Sequence, residues 1–347
     1  MHQKTRVQNE VGIITLASAA LAHIKPHVVP RVFGWGPAGG QRPGWILQEL
    51  MPGAPLLDTF REAMSLDQKK GILAQMAMLL KGLQDYLLPK SITGWGGVTF
   101  DDTGAIVSAP MTSVGAGPWS SLEDSFRDRL QITLDEANAN PHLRGWRENG
   151  VRARVDAFIE RGLSAQFSDL ESNEDRIIVH ADFTPDNLLY DPATGRITAL
   201  LDYDFASVQH PAYEFFRSFG SSGGQFLGWT GDATPEDQEA LALREAKLTG
   251  RFPSPLPTPV MSANGPGVDW EIAQAWEDEL QRLDVRRPST IRGVDKIADV
   301  DELLGSLSPW RLTNDDFLRM NQDEDQRTAL RRMAERQLKS VLAHMGF

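Results

Sequence analysis

The chain has 347 residues, 41% of them apolar and 24% charged, with 47 acidic against 35 basic residues, a net charge of −12 and no cysteine. Disulfides, thiolate nucleophiles and cysteine metal sites are excluded, and the negative balance argues against nucleic acid as the main partner. The length suits two lobes sharing a cleft. From the N-terminus, Thr5 to Ile24 predicts an amphipathic helix, with Val7, Val11, Ile14 and Leu21 at helical spacing and Pro26 and Pro30 ending it. Its apolar part is broken by Asn9, Glu10, Thr15, Ser18 and His23, too short and mixed to span a bilayer. The expectation is a soluble cytoplasmic protein with no membrane partner.

Val32 to Trp35 and Trp45 to Leu47 read as short strands around a glycine- and proline-rich turn, Gly36 to Pro43. Leu66 to Tyr86 predicts a long helix with Ile72, Leu73, Met76, Leu79, Leu80 and Leu83 on one broad stripe. Trp95 to Ile106 reads as a hairpin around Asp101 to Gly104, and Asp124 to Ala137 and Val151 to Gly162 as helices. Ile177 to Val179 is a short apolar strand, followed by Leu188 to Tyr190, the turn Asp191 to Gly195 and the strand Ile197 to Leu201. Gly220 to Pro266 is rich in Gly, Pro, Ser and Thr around one helix, Pro235 to Leu248, and reads as a surface insertion. Trp270 to Leu283 and Asp315 to His344 are the last predicted helices.

The chemistry concentrates in His180-Ala181-Asp182-Phe183-Thr184-Pro185-Asp186-Asn187 and, fifteen residues on, Asp202-Tyr203-Asp204. Phosphoryl transfer needs an aimed hydroxyl, a divalent cation against the phosphate charge and exclusion of water. In this spacing Asp182 is the candidate to take the hydroxyl proton. Asn187 offers a hard oxygen suited to magnesium, Asp202 is the principal candidate metal ligand, and Asp204 is a candidate carboxylate either for a second metal or for supporting the first ligands from behind. His180 reads as a brace. Any one of these residues alone reads first as turn or cap chemistry; the ordered set is what reverses that reading. Trp95, Trp119, Trp270, Trp276 and Trp310 read either as core or as an aromatic pocket for a cation.

These segments resemble the aminoglycoside phosphotransferase and choline kinase group, above all its fungal members. The likeness extends to Val29 to Trp35, Gly44 to Gly53, Arg287 to Gly293 and Pro309-Trp310. The resemblance implies an α+β, protein-kinase-like two-lobe fold. Residues 1–53 would form a shortened N-lobe (a helix and two strands) and hinge. Residues 54–347 would form a mainly helical C-lobe with a catalytic β-hairpin. It also implies that the backbone of Glu49 and Met51 meets the adenine, that Glu10 pairs with a phosphate-binding lysine, and that ATP and Mg2+ are the cofactors. A small molecule carrying a hydroxyl would be the acceptor, with fungal secondary metabolism as the expected setting.

Ala181, Asp204 and Glu214 stand where the group usually has glycine, glutamate and aspartate. Only nine residues precede Glu10, so a phosphate-covering loop and a lysine strand are not met upstream, and Lys4 lacks the preceding strand. Either Met1 is internal to a longer protein or the lobe is natively short. A short lobe keeps two rival expectations in view, a pseudokinase-like binding protein and a non-phosphorylating biosynthetic enzyme.

Overall fold

In the computed structural model, which describes residues 3–40, 42–262, 265–321 and 323–347, the first helix follows its apolar spacing. Helix α1 (Gln3–Ala20) buries Val7, Val11 and Ile14, and turns carry the chain on to Pro26. Strands β1 (Val32–Gly36) and β2 (Trp45–Gln48) pair antiparallel with Trp35 opposite Ile46. They form a two-stranded sheet, so the far edge of β2 has no strand beside it among the described residues.

The chain crosses through residues 49–53 to β3 (Ala54–Pro55) and then to α2 (Leu66–Asp85). A reciprocal cap starts α2: the Ser65 hydroxyl accepts the Gln68 N–H, and the Gln68 side chain accepts the Ser65 N–H at 2.8 Å. All six residues of its expected stripe are at most 3% exposed. Burying each contributes about 1.5–3 kcal/mol. The expected hairpin is β4 (Gly97–Phe100) and β5 (Ile106–Ala109), its turn held by the Asp101 carboxylate accepting the Thr103 and Ala105 N–H groups. Helices α3 (Leu122–Ala139), α4 (Val151–Arg161) and α5 (Leu163–Phe167) follow.

Next come β6 (Ile177–Val179), β7 (Leu188–Asp191), β8 (Arg196–Leu200), β9 (Ser207–Gln209) and α6 (Pro211–Arg217). β7 and β8 form the expected hairpin, with β3 on the free edge of β7, while β6 pairs with β9. Beyond lie α7 (Pro235–Thr249), β10 (Met261–Ser262), β11 (Gly265–Pro266), α8 (Trp270–Arg282), α9 (Val294–Leu307), α10 (Trp310–Thr313), α11 (Asp315–Asn321) and α12 (Glu324–His344). The whole is an α+β, protein-kinase-like fold, with a small N-terminal lobe and a mainly helical C-lobe carrying the β7–β8 hairpin. Among the described residues no helix is long and apolar enough to cross a membrane.

Two expectations need correction, and one pair of alternatives is decided. The stretch Gly220 to Pro266 is more than surface, since Phe226, Ala246 and Lys247 are buried in the C-lobe. The long C-terminal helix is two helices, because the Asp323 carboxylate accepts the Gln326 N–H at 2.8 Å and begins α12 afresh. Four of the five singled-out tryptophans, Trp95, Trp119, Trp270 and Trp276, are core residues; Trp310 is 61% exposed.

Candidate active site

β6 ends at Val179 and hands the chain to His180, whose buried ring points Nε2 at the Leu201 carbonyl, 2.9 Å away. A carbonyl only accepts, so Nε2 is assigned the proton. Burial pulls this imidazole down to about 4, leaving it neutral near pH 7. It braces the loop against the segment that leaves β8 and carries Asp202. Ala181 has φ +63°, the left-handed conformation in which glycine is at ease. Glu214 of α6 holds the turn from below. Its oxygens accept the N–H groups of His180 at 2.7 Å and Ala181 at 2.9 Å, and the Ser218 hydroxyl joins Glu214 to the Phe183 N–H. Burial pushes Glu214 up to about 7.

Held in this way, Asp182 faces Asn187. The Asn187 amide nitrogen donates to both the carbonyl and the carboxylate of Asp182, each at 2.8 Å. That engagement leaves the amide oxygen of Asn187 for another ligand. The Leu201 N–H donates to the Asn187 carbonyl at 2.9 Å, bringing the next residue, Asp202, to the same mouth of the hairpin. Asp202 adopts φ +61°, tolerable for aspartate, and has no ion pair among the described residues. Burial raises its pKa, and the charges of Asp204 and Asp182 add to the rise.

The third acidic residue is already partnered. Arg6 of α1 grips Asp204 with Nε at 3.0 Å and with Nη2. Glu10, one turn further along α1, meets the same carboxylate; burial first, and then Asp204, push it up to about 8. Glu10 therefore faces an acid and an arginine, whereas the resemblance implies a lysine, and the Lys4 side chain lies outside the described residues. Among the described residues no group of three or more His, Cys, Asp or Glu side chains is arranged to hold a metal ion. The donors available to a hard cation are mixed: the Asp202 carboxylate and the Asn187 amide oxygen, with Asp204 engaged by Arg6. Such a set leaves coordination positions for oxygens of a substrate, as magnesium sites usually do.

Sequence reading passed over Asn9, which sets α1 against this cluster. Its amide donates to the Ala206 carbonyl at 2.9 Å and accepts the Val98 N–H at 2.8 Å, at 1% exposure. A second residue passed over is Arg217, the last of α6, which interacts first with Tyr213 and then with the charges of Asp301 and Asp182. Asn9→Leu strands one buried donor and one acceptor, and is expected to lower unfolding free energy by roughly 2–4 kcal/mol in urea titration. An unchanged midpoint would mean that α1 is not anchored here.

Glu49 and Met51 lie on the crossing segment, apart from the carboxylates. The Glu49 side chain accepts from His27 Nε2 at 2.9 Å, and its N–H donates to the Arg31 carbonyl at 2.8 Å. The Glu49 carbonyl and the Met51 N–H have no hydrogen-bond partner among the described residues. This segment rests on the hairpin: the Thr198 hydroxyl donates to the Pro52 carbonyl at 2.5 Å. Gly53, at φ +123°, is required there, because a Cβ would strike Thr198 and come within 2.9 Å of the Tyr190 carbonyl. Between α1 and β2 opens a cavity of about 390 Å³, lined by Arg6, Val7, Glu10, Trp45, Ile46 and Gln48 among others. A larger recess of about 730 Å³, beside Lys25, Met78 and Arg196, touches none of these carboxylates.

A model of the phosphotransferase enzyme family matches residues 2–253, a span containing both the crossing segment and the acidic cluster. Similar solved structures include a Ralstonia eutropha protein assigned to the aminoglycoside phosphotransferases, 15% identical with a TM-score of 0.49, covering 96% of this chain and 83% of that one. ADP-bound aminoglycoside phosphotransferase APH(2'')-Ib is 12% identical with a TM-score of 0.48, with the same coverage, 96% and 83%. Macrolide 2'-phosphotransferase MphH from Brachybacterium faecium is 14% identical with a TM-score of 0.38, over 92% and 83%. No curated protein matches the chain.

Proposed function

The chain belongs to the phosphotransferase enzyme family, and we propose that it moves the terminal phosphate of ATP to a hydroxyl of a small molecule. The observation that carries this reading is the meeting of Asp182, Asn187 and Asp202 at one hairpin mouth, with Asp182 and Asp202 free of ion pairs among the described residues. Asp182 accepts the acceptor's proton as its oxygen bonds to the γ-phosphorus. The bond from that phosphorus to the β–γ bridging oxygen breaks, and ADP leaves with the electron pair. Asp202 and the Asn187 oxygen would hold Mg2+, with Asp204 nearby. Bound there, the ion offsets charge on the phosphate oxygens. The unpartnered Glu49 carbonyl and Met51 N–H support adenine recognition between residues 1–53 and the lower lobe, 54–347.

The resemblance of the sequence to fungal members supports a place in fungal small-molecule metabolism, and ATP as donor fits a cytoplasmic setting. The Arg6–Asp204 pair favours one rival, a binding protein that keeps the fold without transferring phosphate, because it occupies a carboxylate that the metal would use. Mass spectrometry of hydroxylated metabolites incubated with protein, ATP and Mg2+ separates the two. Transfer adds the mass of a phosphoryl group to one of them; a ligand retained at its original mass supports the rival.

A further inference from the structure

We propose that Arg6 is the cationic contact for the nucleotide's phosphates, stored on Asp204 and released when that carboxylate turns to a divalent cation. The inference rests on the nucleotide reading of the site. Arg6 presents two N–H groups to the two oxygens of Asp204, the fork by which arginine grips a carboxylate or a phosphate.

The two ends of this pair are unequally exposed. The Arg6 side chain is 45% exposed and that of Asp204 17%. The guanidinium can therefore swing away into water, whereas Asp204 stays beside Asp202 and Glu10 and needs a positive partner. An ion pair this close to solvent is weak and easily exchanged. A divalent cation carries twice the charge of the guanidinium and suits the oxygens of Asp202 and Asp204.

The direction of release is also built in. Arg6 forms one wall of the 390 Å³ cavity, with Glu10 beside it and Trp45, Ile46 and Gln48 of β2 opposite. β2 leads directly into Glu49 and Met51. A nucleotide with its base at those two residues and its terminal phosphate at Asp202 brings its polyphosphate past this wall. There the freed fork meets phosphate oxygens, and one cation serves two anions in turn.

Three titrations of the full chain test this, using Mn2+ alone followed by its electron paramagnetic resonance signal, ADP with Mg2+, and adenosine. Arg6→Ala removes a competitor for Asp204 and a ligand for phosphate, so the first two affinities are expected to move in opposite directions. Mn2+ alone should bind more tightly, MgADP about tenfold to a hundredfold more weakly, and adenosine as before. Arg6→Lys should recover part of the MgADP affinity. If Arg6 only anchors α1, all three ligands weaken together in Arg6→Ala, and the proposal is overturned. Unchanged MgADP affinity overturns it equally. Failure of the unaltered protein to bind MgADP is a separate result, which removes the nucleotide reading and this inference with it.

Discussion

Asp202→Asn is expected to abolish Mg2+-dependent nucleotide binding, with a loss of about 10²–10³-fold in affinity, while the protein remains folded. Asparagine keeps the shape of the side chain and tolerates the left-handed backbone at this position, φ +61°. What it removes is the charge of a carboxylate that has no ion pair among the described residues and that would hold the Mg2+; partners lying behind a metal ligand are already worth about 10–100-fold in metal affinity, and a ligating carboxylate is worth more. Asp202→Ala should give the same loss with some added destabilisation, because a Cβ without a polar tip is less content at positive φ. Calorimetric titration with MgADP, alongside a thermal unfolding curve, separates the two effects. Retained affinity in Asp202→Asn would remove this residue from the metal site.

The second large effect falls on turnover. Asp182→Asn should leave MgADP affinity within a few-fold of the unaltered protein, because asparagine still offers an oxygen to the Asn187 amide that now donates to Asp182 at 2.8 Å. It can no longer take a proton from the acceptor. General-base contributions of this kind are worth about 10²–10⁴-fold, and kcat and kcat/KM should fall together, the pattern of a group that acts only in the transition state. Once an acceptor is in hand, steady-state rates decide it. A rise in KM at constant kcat would make Asp182 a binding residue.

Much of the fold was legible because burial follows periodicity. The stripe of α2, the strands β6 to β8 and the Asp101 turn all lie where apolar spacing and turn chemistry put them. Helix α9 was not visible, although it buries Ile297, Val300, Leu303 and Leu307. It starts after Gly293 with no side-chain cap, so the usual start signal is missing. β9 and α6 were missed for other reasons: β9 sets polar Ser207 and Gln209 around one valine where β6 is an apolar run, and α6, at seven residues, is too short to show a helical period.

The candidate site divides in the same way. Asp182, Asn187 and Asp202 could be placed together because one hairpin sets their spacing. The engagement of Asp204 by Arg6 could not, since those residues are 198 positions apart and meet only through tertiary packing. Asn9 was legible only as a polar interruption of an apolar helix face. Its role depends on two backbone groups, at Val98 and Ala206, that no local pattern connects to it.

The most direct measurement is the unfolding temperature of the unaltered protein with ADP or ATP, each with and without Mg2+. The expected result is an upward shift that needs the nucleotide and the metal together and that disappears in Asp202→Asn. No shift with either nucleotide, or a shift that survives the loss of Asp202, would contradict it.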